Sequence, residues 1–170
     1  MPTLALLFVV ALAVCACTTV APPEATAPAP APTPAQQQTA LAAALGIEQR
    51  WLNSWFRGTP VLIAQRDDGA LVIEVPREFC FDPGRSSVKP ALAAVLDKVA
   101  ESLRRRPMAH LTALAAPGDR TANTPLALQR ATQVHGYLRR RGVPETRLGA
   151  PAAATAAVVQ LRIGAAPRLD

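Results

Sequence analysis

Arg130 is the residue whose placement is hardest to explain by helix chemistry alone. It falls in the first half of a helical repeat, directly before Ala131, where a cation gains nothing from the helix dipole. Other reactive residue types are sparse. His110 and His135 lack any metal-ligand spacing. Cys80, the one cysteine beyond the N-terminal leader, sits between Phe79 and Phe81 and reads as a packed, inert thiol. No Ser-His-Asp arrangement, paired carboxylates beside a histidine, metal cluster or phosphate loop is present, so the sequence points to binding rather than catalysis and implies no cofactor. The net charge of +6, carried almost entirely by arginine, permits attraction to anionic envelope polymers or lipids. The cations are scattered and not interleaved with aromatics, which argues against nucleic acid.

The elements that must position Arg130 follow from periodicity. Residues 123–143 open with Asn123 and Thr124 as N-cap candidates and Pro125 in the first turn. Ala127, Ala131, Val134 and Leu138 then make one apolar stripe. Arg139 to Arg141 sit where the dipole favours cations, and Gly142 supplies the left-handed end. Upstream, Leu92, Val95, Leu96, Val99 and Leu103 predict a second helix over residues 90–106. Asp68-Gly69 between two β-branched runs predicts a hairpin. Residues 108–115 read as a buried strand of a parallel pair, and residues 158–163 alternate as a closing strand. Residues 40–58 form an N-terminal helix interrupted by Gly46, expected to dock through Trp51 and Trp55. Helix, hairpin, helix, strand, helix, strand predicts an α/β two-layer sandwich, with helices packed on one face of a mixed sheet.

The pattern Asn123, Leu126, Arg130, Ala131, Val134, Tyr137, Leu138, Gly142, Val143 resembles the OmpA-like peptidoglycan-binding domain. Phe79, Phe81 and Asp82 match that family's F-x-F-D segment, so the resemblance places an OmpA-like domain over residues 59–165. It implies that Arg130 grips the carboxylate of a diaminopimelate stem-peptide residue, a role that suits the planar guanidinium fork, with Asn123 and Asp82 in the same site. The chain departs from the pattern in two places. In ungapped register the family's acidic loop residue falls on Ala115, while a shorter loop would bring Asp119 into that role. The stretch from Ala156 to Gln160 lacks the family's arginine pair. The expectation is therefore weak peptidoglycan binding. The alternative is an interaction domain that docks on another envelope protein through Trp51, Trp55 or a sheet edge.

The apolar run at the N-terminus is too short for a comfortable membrane span; residues 1–16 read as a secretory leader whose end resembles a lipobox, with a short uncleaved N-terminal anchor as the alternative. Ala16 before Cys17 favours Cys17 over Cys15 as the lipidated residue, although no Lys or Arg precedes the apolar core. Thr18 follows, so family analogy implies a lipid anchor in the outer membrane, on its periplasmic face. Residues 17–39, with six prolines from Pro22 to Pro34, are expected to form a disordered tether.

Overall fold

A computed structural model describes residues 31–120 and 125–167. Cys15, Cys17, most of the proline-rich stretch and Asn123 lie outside the described residues.

The first helix, α1, runs Pro34–Trp55 and so begins at Pro34 instead of Ala40. The cause is a capping box. The Thr33 hydroxyl accepts from the Gln36 backbone N–H at 3.3 Å, and the Gln36 side chain accepts from the Thr33 N–H at 2.7 Å. The last residues expected in the tether are therefore helical. Gly46 does not interrupt the helix; a Cβ there would lie 3.1 Å from the Gln65 side-chain oxygen, so glycine lets that side chain approach. Docking differs from expectation in part. Trp51 is half-buried and packs against the core, but Trp55 is 56% exposed, and the buried residues of α1 are Leu45, Gly46, Glu48 and Leu52. The two indoles meet edge to face at 6.2 Å. Their rings receive cations of the next long helix: Lys98 lies 3.8 Å from Trp55 and Arg105 lies 3.7 Å from Trp51.

Strands β1 (Leu62–Gln65) and β2 (Leu71–Pro76) form the expected antiparallel hairpin. Gly69 takes φ +79°, and Asp68 accepts from the Ala70 N–H at 3.1 Å. A four-residue helix, α2 (Arg77–Cys80), leads through a loop to α3 (Pro90–Arg105). Then come β3 (His110–Ala116), α4 (Pro125–Arg140), a single 3-10 turn at Glu145–Arg147, β4 (Pro151–Ala153) and β5 (Val158–Gly164).

The sheet order is β1-β2-β5-β3-β4. The closing strand β5 is central, antiparallel to both β2 and β3. The parallel partner expected for β3 is the short edge strand β4, in the alanine-rich stretch before β5. Ile63, Leu71, Ile73, Val75, Leu114, Leu161 and Ile163 bury one sheet face in the core together with both helical stripes. The residues between them, among them Gln160 and Ala113, face outward. The α4 stripe of Ala127, Ala131, Val134 and Leu138 is fully buried. Its end is a Schellman motif: Gly142, at φ +84°, donates to Arg139 O, and Val143 donates to Leu138 O. Arg147 ties α3 to β3 by donating to Leu103 O, Arg106 O and Ala109 O.

Candidate functional site

Arg130 lies three residues after Ala127 and four before Val134, on the buried face of α4. Its side chain has no exposed surface. A buried guanidinium must be neutralised and hydrogen-bonded. Nε donates to Arg85 O at 2.8 Å, and Nη1 donates to Pro117 O at 2.9 Å. Nη2 donates to Asp82 O at 3.1 Å and to the Asp119 carboxylate at 2.7 Å. The Phe81 ring, itself buried, lies 4.8 Å from the guanidinium carbon. Arg130 thus clamps two loops together, the one after α2 and the one after β3.

The acid in this arrangement is Asp119, not a residue at position 115. Ala115 falls between Leu114 and Ala116, which are buried on the helix side of the sheet. Strand alternation points Ala115 to the opposite face, away from α4. Its cross-strand neighbours are Gln160 and Ala152. The carboxylate that reaches Arg130 from the loop after β3 is that of Asp119.

Asp119 is fixed at both oxygens. Oδ1 accepts from Arg130, and Oδ2 accepts from the Gly84 backbone N–H at 2.7 Å. Gly84 stands at φ +68°, a conformation that favours glycine. The Gly84 N–H, followed by the Arg130 bond and charge and by the Arg77 charge, holds the Asp119 carboxyl below the usual carboxylate range. Its side chain remains 36% exposed.

That exposed carboxylate opens into a cleft of about 380 Å³ lined by Arg77, Glu78, Phe81, Pro83, Lys89, Asp119 and Arg120. Arg77 donates from Nη1 to Gly118 O at 3.3 Å and to Asp119 O. Lys89 Nζ donates to Glu78 O at 3.1 Å and lies 3.3 Å from the Asp82 carboxylate. A smaller recess of about 70 Å³ continues past Arg77 and Asp119 to Ala154–Ala157. A carboxylate and several cations facing one cleft suit a ligand that carries both charges.

Of the residues expected in the site, Arg130 and Asp82 are brought together, but Asp82 meets Arg130 through its backbone oxygen while its side chain turns to Lys89. Arg77, Gly84 and Lys89 carried no motif that singled them out. A larger cavity of about 590 Å³ lies between α1, the hairpin turn and β3, lined by Leu41, Ala42, Leu45, Gly69 and Thr112 among others. Its charged residues, Asp68 and Arg162, pair with each other, so it presents no unmatched charge. Among the described residues no cluster could hold a metal, and no helix is long and apolar enough to cross a membrane.

No family model and no curated protein matches the sequence. Solved structures do. A MotB-like protein from Desulfovibrio vulgaris shares 17% identity at TM-score 0.61, over 78% of this chain and 98% of that one. The periplasmic domain of Helicobacter pylori MotB shares 14% at TM-score 0.52, over 65% of this chain and 83% of that one. The OmpA-like domain of FopA1 from Francisella tularensis is less similar, at 9% identity and TM-score 0.47, over 65% and 83%. The chain has the OmpA-like fold.

Proposed function

We propose that this chain is a cell-envelope binding module that contacts peptidoglycan through the cleft at Asp119, engaging the diaminopimelate residue of the stem peptide. The observation that carries the proposal is the Asp119 carboxylate, oriented by Arg130 and Gly84 and left open to a cleft that also holds Arg77 and Lys89. The OmpA-like fold and the motif around Arg130 support the same reading. The expectation of weak binding rested on the alanine at 115 and on the missing arginine pair at Ala156–Gln160; the Asp119 carboxylate beside Arg130 bears on the first of these and leaves the second in place. The proposal includes outer-membrane anchoring by lipid on Cys17, with the proline-rich segment up to the start of α1 as the tether; its support is the leader and the composition of that segment.

All the clustered core residues fall between Leu45 and Ile163, so a chain starting at residue 32 keeps the whole core. Co-sedimentation of that chain with insoluble peptidoglycan sacculi tests the proposal. The wild type is expected in the pellet. Asp119→Asn should lose about tenfold or more in affinity, the scale of a bond to a charged group. A wild type that stays in the supernatant, or an Asp119→Asn chain that sediments as well as the wild type, refutes it.

A further inference from the structure

We infer that Arg130 does not touch the ligand: it is a positioning residue for Asp119, and the cation that receives the ligand's carboxylate is Arg77. This rests on the proposed function and divides the labour within its site.

A guanidinium has five N–H donors. Four of those on Arg130 are committed, three to the backbone oxygens of Asp82, Arg85 and Pro117 and one to Asp119. The side chain has no exposed surface and does not line the cleft. To bind a ligand carboxylate with two parallel bonds, Arg130 would have to abandon loop carbonyls, and of the three only Asp82 O has a second donor among the described residues, the Arg85 backbone N–H at 3.0 Å. Asp119 is different. A carboxylate has about four lone-pair sites, and the protein uses one on each oxygen, which leaves acceptor capacity for an ammonium group.

Arg77, Lys89 and Arg120 are the cations that line the cleft, and among them Arg77 is the one bonded to the Asp119 backbone oxygen. Lys89 already has a countercharge in Asp82. Arg77 has no ion-pair partner among the described residues and uses only Nη1, toward Gly118 O and Asp119 O. Its Nε and Nη2 carry no bond to a described residue. Arg77 lines both the cleft and the recess behind it, and its Nη1 bond to the Asp119 backbone puts its fork beside the acid. An ammonium on Asp119 and a carboxylate on Arg77 together read the zwitterionic head of an amino acid.

Two probes separate the roles in titration calorimetry of the chain from residue 32. meso-Diaminopimelate carries ammonium and carboxylate groups, while 1,5-diaminopentane carries the ammonium groups alone. Arg77→Gln should weaken diaminopimelate about tenfold or more and leave diaminopentane unchanged. Arg130→Lys, acting through Asp119, should weaken both probes by the same factor. An Arg77→Gln chain that weakens both probes equally has lost only structure, and the assignment falls. If Arg77→Gln keeps the preference for diaminopimelate while Arg130→Lys loses it, Arg130 is the ligand's partner, and the peptidoglycan reading stands without this division. If the wild type binds neither diaminopimelate nor sacculi, the peptidoglycan reading itself fails.

Discussion

Replacing Glu48 by glutamine should loosen α1 from the rest of the fold. Glu48 is the buried acid of α1, and its carboxylate accepts from Arg105 Nη2 at 2.7 Å and Arg106 Nε at 3.0 Å, at the C-terminal end of α3. Burial alone would raise its pKa. The bonds from Arg105 and Ser102, with the Arg105 charge and the Arg106 bond, outweigh burial and hold it below the usual range. Truncating one partner of a fully buried ion pair costs about 3–5 kcal/mol. Here the arginine side chains are 36% and 31% exposed and regain water, so the loss should be nearer ~2 kcal/mol. For a unit of this size that lowers the thermal midpoint by roughly 6–10 °C. The sign with pH follows from the lowered value. The stabilisation is present above the ordinary carboxylate value of 4.5 and is lost as pH falls through the lower folded value. Thermal melts of wild type and Glu48→Gln at pH 7 and near pH 3 therefore show a gap that closes on acidification. A gap under about 1 °C at pH 7, or one that survives acidification, would refute the reasoning.

Two further outcomes are expected. The Cys80 thiol is pushed up to about 12 by burial, and its Sγ donates to Val75 O and Pro76 O. In the chain from residue 32 it should resist an aromatic disulfide reagent at pH 8 and react only after unfolding in urea; rapid labelling of the native protein would contradict this. Cys17→Ser should abolish lipid attachment and leave an unprocessed or soluble form, checked by mass spectrometry of the envelope fraction. An intact Met1 N-terminus on the wild-type envelope protein would sink the anchor.

The helices α3 and α4 were legible because their buried faces repeat at 3.6 residues, and every residue of both stripes is at most 2% exposed. The hairpin was legible from Asp68-Gly69, whose chemistry the turn requires. Strand β4 was not, since Pro151–Ala153 is too short to alternate and gains its place from pairing with β3. The start of α1 was misread from its proline and alanine content, although Thr33 and Gln36 stand at capping-box spacing with Pro34 between them. In the site, Arg130 was visible as a cation out of place on an apolar stripe. Asp119 was obscured by loop length, which spacing along the chain does not resolve. A physical signal was nevertheless present: with Leu114 directed into the core, Ala115 must point off the other face of the sheet, where no side chain could reach α4.

The burial of Arg130 also decides which substitutions are informative. A charge withdrawn from water is tolerated here because its donors meet three carbonyls and one carboxylate, with the Phe81 ring 4.8 Å from the guanidinium carbon. The same bonds hold the loop after α2 against the loop after β3. An alanine at 130 would remove the donor from all of them at once, so fold and ligand binding would fail together and neither could be assigned. Asp119 and Arg77 are only partly buried, and each can lose its charge to an isosteric or near-isosteric amide without emptying the core. The family motif marks the residue that builds the site. The residues that separate building from binding are Asp119, in one of the two loops it holds, and Arg77, at the start of the helix that the other loop follows.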